Sequence, residues 1–119
     1  MDVIDRTVDS EVLPGLQLAP THLTELRQIL RQLVPDAQVW AYGSRVTGGG
    51  HEGSDLDLVL RCPGHLDQAC TQLEDLREAF QQSRLPMLVD VHDWARLPAT
   101  FHRNIERRYL EIQAGTAVT

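Results

Sequence analysis

Two aspartates alternate with leucines in the run Ser54-Asp55-Leu56-Asp57-Leu58. In an extended strand, successive side chains point to opposite faces. Asp55 and Asp57 therefore share one face, while Leu56, Leu58 and Leu60 share the other. The two aspartate Cα atoms would stand roughly 6.5–7 Å apart, at about 3.3 Å of rise per residue. Carboxylates so placed repel each other and are costly to bury unpaired. A hard cation relieves the conflict, and Mg2+ is suited to it because it takes a few carboxylate oxygens together with substrate phosphates. A two-metal site for phosphoryl or nucleotidyl transfer needs a third acid. Asp90 supplies it, set in the apolar stretch Leu88-Val89-Asp90-Val91 where a lone acid is expensive without a partner. Asp93, at the end of that stretch, is assigned to capping a turn or the following helix.

Upstream lies Gly43-Ser44-Arg45, with ten residues between Ser44 and Asp55. A glycine at a strand end lets backbone approach a ligand closely. Ser44 offers a hydroxyl at a place where a helix can start, and the backbone N–H groups there attract anions. The fork of Arg45 matches a phosphate, a partner carboxylate or a structural ion pair, and its type alone does not choose among them. Gly43, Ser44 and Arg45 are thus the candidate nucleotide-binding set, and Asp55, Asp57 and Asp90 the candidate catalytic and metal-binding set.

Elements must hold these groups in place. Pro20-Thr21 opens a helix carrying Leu23, Leu26, Leu30, Leu33 and Val34 at helical spacing, and Pro35-Asp36 stops it. Ala37 to Tyr42 reads as a strand, Gly43 to Ser54 as a glycine-rich stretch, and Asp55 to Arg61 as a second strand. Leu66, Cys70, Leu73, Leu76 and Phe80 mark an amphipathic helix, and Met87 to His92 a third strand. Phe101, Ile105 and Ile112, with Tyr109 between, predict a last helix that ends near Gly115. Residues 1–19 read as an N-terminal arm and 20–115 as one domain. The fold class is α/β (α+β), a small mixed sheet with helices packed on it. Trp40, Tyr42 and Trp94 read as core or rim aromatics. The histidines lack metal-ligand spacing; His92 shares a face with Asp90 and reads as a polar strand residue. Arg103, Arg107 and Arg108 form a basic patch, explained by a helix C-terminus or by docking of an acidic partner.

The bulk composition narrows the functions. The 119 residues carry a net charge of −6, which argues against a broad basic surface for direct DNA or RNA binding. The sequence has no lysine, which excludes Schiff-base, lysine-nucleophile and P-loop chemistry. Two cysteines, Cys62 and Cys70, are too few for a disulfide scaffold. With no secretory signal and no apolar run long enough to span a bilayer, a cytoplasmic setting without membrane contact is expected.

At Gly43-Ser44-Arg45, Ser54-Asp55-Leu56-Asp57 and Val89-Asp90-Val91 the chain resembles the nucleotidyltransferase superfamily typified by the DNA polymerase beta catalytic core. It resembles most closely the minimal nucleotidyltransferase (MNT) proteins, many of them antitoxins paired with HEPN-domain ribonucleases. The resemblance implies that Asp55 and Asp57 bridge two Mg2+ ions and that Asp90 binds the ion that activates the attacking hydroxyl. It implies that Gly43 and Ser44 hold the triphosphate, that ATP is the donor, and that a tyrosine of a HEPN toxin accepts AMP within a hetero-oligomer. Many MNT proteins continue the motif as Gly-Ser-Arg-Ala-Arg-Gly; here Thr47 stands where the second Arg would be. The other readings are a binding antitoxin that acts by occlusion, and nucleotidyl transfer to a small molecule.

Overall fold

Helix α1 (Pro20–Leu33) starts with proline at its first turn, where the missing N–H costs nothing. Leu23, Leu26 and Leu30, spaced three and four apart, form its buried stripe. Val34 leaves helical geometry just ahead of Pro35. The computed structural model describes residues 13–70 and 72–115. After α1 come β1 (Gln38–Tyr42), the short helix α2 (Ser44–Thr47), β2 (Leu56–Arg61), α3 (Leu73–Gln81), β3 (Val89–Asp93), a 3-10 turn (Trp94–Arg96), α4 (Ala99–Arg107) and β4 (Leu110–Gln113).

The four strands form one mixed sheet in the order β3-β2-β1-β4. β1 is antiparallel to β2 and β4, and β2 is parallel to β3. One face packs Leu56, Leu58, Leu60, Val39, Ala41, Val89 and Val91 against the leucines of α1 and against Leu73, Leu76 and Phe80 of α3. A smaller cluster on the other face joins Trp40 and Val59 to Trp94 and to Ile105 of α4. The α+β mixed sheet expected from the sequence is the observed fold.

Four boundaries differ from the expectation. The last helix ends at Arg107 and a fourth strand follows, because Arg108 is already extended and β1 has a free edge to satisfy. Ile112 is buried among the core leucines. Its neighbour Glu111 points away and accepts from Gln38 Nε2 at 2.8 Å and Trp40 Nε1 at 3.3 Å. The helix expected over Leu66 to Phe80 starts only at Leu73. The segment before it is drawn to β3 by Cys70 N–H, which donates to the buried carboxylate of Asp93 at 3.1 Å. Asp93 therefore fastens a loop and makes no side-chain cap to the turn that follows it. β3 begins at Val89, not Met87, leaving Leu88 60% exposed, and β2 begins at Leu56, just after Asp55.

Of the expected arm, residues 1–12 lie outside the described residues. Leu13, Leu16 and Leu18 pack on the core, and Gln17 N–H donates to Arg45 O at 2.8 Å.

Candidate active site

Strand register assembles the acids. Asp57 of β2 pairs with Asp90 of β3, and Tyr42 of β1 pairs with Asp57. Paired residues on neighbouring strands project to the same face. Tyr42, Asp57 and Asp90 therefore stand in a row across three strands, on the face opposite the Leu56-Leu58-Leu60 core. Asp55 lies one residue before β2 and is exposed.

Gly43 ends β1 with φ of 85° and ψ of −161°, a region open essentially to glycine alone. A Cβ there would overlap Asp57 Oδ2 and stand 3.2 Å from its Cγ. The backbone thus passes directly against the Asp57 carboxylate, which a side chain would prevent. Gly43 O then accepts from Val46 N at 2.9 Å and Thr47 N at 3.0 Å, so the chain turns sharply and Ser44 opens α2 beside the acids.

Arg45, which the sequence offered either as a phosphate ligand or as a structural ion pair, has its guanidinium turned onto backbone carbonyls in this structure. It is 5% exposed. Its guanidinium donates to Ser54 O at 3.0 Å, to Glu52 O at 2.9 Å and to Gln17 O. Carbonyls from the segment before α1 and from the far end of the glycine-rich stretch thus engage each of the three nitrogens of this cation, which fastens the loop and delivers Asp55 to the head of β2. The loop tip closes on itself: His51 N–H donates to Ser54 Oγ and Gly53 N–H to His51 Nδ1, both at 3.0 Å. His51 is therefore a turn residue.

The electrostatics follow from this geometry. Burial raises the carboxyl of Asp57 above the usual carboxylate range; the charges of Asp90 and Asp55 raise it further, against a smaller opposing effect from His92. Burial, then Asp57, then Asp90 also push the Tyr42 phenol well above its ordinary value. His92 Nε2 lies 3.2 Å from Asp90 Oδ2. His92, read from the sequence as a strand residue sharing a face with Asp90 and bordering the site or merely polar, and Tyr42, read as a core or rim aromatic, both border the acids. The signal available was strand alternation, which puts His92 beside Asp90 once β3 is placed.

Among the described residues, no three His, Cys, Asp or Glu side chains already stand as a metal-holding cluster. The donor set nonetheless suits Mg2+: Asp57 and Asp90 offer hard oxygens from one face of the sheet, and Asp55 lies near enough for its charge to add to the proton affinity of Asp57. Mg2+ completes its octahedron with water and phosphate oxygens and does not need a closed protein cage. A separate cavity of about 300 Å3, lined in part by Val34, Cys62 and Cys70, lies at the opposite end of β2 from these acids.

This fold is that of a polymerase-beta-like nucleotidyltransferase, and residues 23–113 match the family described as nucleotidyltransferase domain. The chain belongs to that family, and the minimal-nucleotidyltransferase resemblance read from its motifs is borne out. It is 42% identical over 98 residues to "Probable protein adenylyltransferase MntA" of Haemophilus influenzae, covering 82% of this chain and 84% of that one. A solved structure titled "Crystal structure of the toxin-antitoxin with AMP-PNP" shares the fold, with a TM-score of 0.61 and 17% identity over 76% of this chain and 71% of that chain. No helix among the described residues is long and apolar enough to cross a membrane.

Proposed function

We propose that this nucleotidyltransferase moves AMP from ATP to a hydroxyl, that of a tyrosine on a HEPN-domain toxin, and thereby acts as an antitoxin in the cytoplasm. The observation that carries the reading is Asp57, pressed against Gly43 and flanked by the charges of Asp90 and Asp55. In this reading Asp55, Asp57 and Asp90 hold two Mg2+ ions. Bound there, the ions would neutralise phosphate charge and stabilise the entering and leaving oxygens. Gly43 and Ser44 hold the polyphosphate close to Asp57, and Arg45 keeps the loop shaped for it without touching the nucleotide. Much of the rate in such transfers comes from orientation and charge stabilisation, which is what a rigid strand register supplies. The relative named as a protein adenylyltransferase supports a protein acceptor. The toxin–antitoxin title of the structural neighbour supports a toxin partner.

The test is incubation with α-labelled ATP, Mg2+ and a HEPN-domain protein taken from the same genome. Label is expected on the partner with the native chain and none with Asp57→Asn. Tight binding of the partner without label, even with the native chain, would overturn the enzymatic reading. The second reading, neutralisation by occlusion, is favoured by Thr47 standing where relatives of this kind carry a second arginine. It predicts that Asp57→Asn still neutralises the partner.

A further inference from the structure

A cleft of about 330 Å3 opens beside Gly43, the residue that abuts Asp57. Its walls include Tyr42, Gly43 and Thr47 on one side and Asn104, Arg107 and Arg108 on the other. The strand β4 creates this wall. Leu110 pairs with Ala41, so the two residues that end α4 and lead into β4 are held next to the end of β1, where Gly43 turns.

We infer that Arg107 and Arg108 bind the polyphosphate of the nucleotide from the α4 side, supplying the positive charge that the Gly43–Gly48 loop lacks. The inference rests on the nucleotidyl-transfer reading and adds to it which residues neutralise the donor. Three observations carry it. Arg45, the loop's own cation, has each of its three nitrogens bonded to a backbone carbonyl and is turned into the protein. Position 47, which faces the cleft, is threonine. The guanidinium groups of Arg107 and Arg108 are exposed, and among the described residues neither makes a hydrogen bond or ion pair. Stabilisation of a helix end explains a cation in the last turn but not Arg108, which lies past the helix in extended backbone with φ of −159°. A planar fork matches phosphate oxygens in pairs, and two exposed arginines whose residues line the cleft with Gly43 suit a chain of phosphates better than a single one.

The test compares Mg2+-ATP and AMP binding by calorimetry for the native chain, the double variant Arg107→Ala/Arg108→Ala, and Arg103→Ala. Arg103 is an exposed arginine of the same helix that does not line the cleft. The double variant should weaken ATP by about tenfold or more, a change of at least 1.4 kcal/mol, and leave AMP within about twofold. Arg103→Ala should change neither. Adding Thr47→Arg to the double variant should recover ATP affinity from the facing wall. Thermal unfolding checks that all variants remain folded, as expected for exposed side chains. Unchanged ATP affinity in the double variant, equal weakening of ATP and AMP, or no recovery with Thr47→Arg overturns the proposal. A native chain that binds neither nucleotide overturns the nucleotidyl-transfer reading itself, and this inference with it.

Discussion

Replacing Gly43 by alanine tests the site at its tightest point, and the damage divides into two physical parts. The first is conformational: φ of 85° with ψ of −161° costs a residue with a Cβ on the order of 1–3 kcal/mol. The second is steric and specific to one neighbour. The new Cβ would overlap Asp57 Oδ2, with Cγ at 3.2 Å and Cβ at an ordinary 3.5 Å. Truncating Asp57 to alanine removes the first two atoms and keeps the third, so it abolishes the clash and leaves the backbone strain. Gly43→Ala alone should therefore lower Tm by several degrees, at about 4–8 °C per kcal/mol for a domain near this size. In the Asp57→Ala background the loss should shrink to the conformational part. Transfer activity should fall more steeply than stability, because a reacting group displaced by about 1 Å can cost on the order of 100-fold. Differential scanning calorimetry on the four chains of the cycle gives the coupling, and a labelled-ATP assay on Gly43→Ala gives the rate. Additive losses in the cycle, or Gly43→Ala with native turnover, would refute the claim that Gly43 is required by the carboxylate behind it.

Asp57→Asn should raise Tm at neutral pH. The carboxyl of Asp57 is raised in the folded chain, so the native state binds its proton more tightly than the unfolded state does. The resulting penalty is absent below the ordinary carboxylate value, grows as pH rises from there through the raised folded value, and is full above it. The gain from Asp57→Asn should vanish on acidification below that window, and Mg2+ should raise Tm of the native chain but not of the variant. Arg45→Ala should cost about 1–3 kcal/mol by stripping three half-buried carbonyls of a charged donor, and should open the 48–54 loop to limited proteolysis; a neutral substitution there would show that the guanidinium does not fasten the loop. Burial, then its contact with Cys62 at 3.7 Å, push the Cys70 thiol up to about 12. Alkylation of Cys70 should therefore be slow at neutral pH and accelerate on unfolding, as peptide mapping after iodoacetamide would register.

The local patterns were legible because they depend on residue type and period. Proline at the start of α1, its leucine stripe and the alternation of Asp57 with Leu56 and Leu58 are properties of neighbouring residues. The spacing from Gly43-Ser44 to Asp55 and Asp57 is read directly off the chain, and Asp90 is preferred to Asp93 because it stands inside an apolar run and not at its end. The end of the chain misled for the same reason. Phe101, Ile105 and Ile112 satisfy a helical period, yet Ile112 faces the core just as well from a strand. What selects the strand is the open edge of β1, which no local window contains.

The sequence by itself offered the residues whose types could do chemistry and set which face of a strand each would occupy, because a strand's period is built into its backbone. The tertiary structure decided the rest, since contacts between distant segments have no period. It put Asp57 opposite Asp90, turned Arg45 inward onto carbonyls at positions 17, 52 and 54, and used β4 to carry Arg107 and Arg108 to the rim of the cleft.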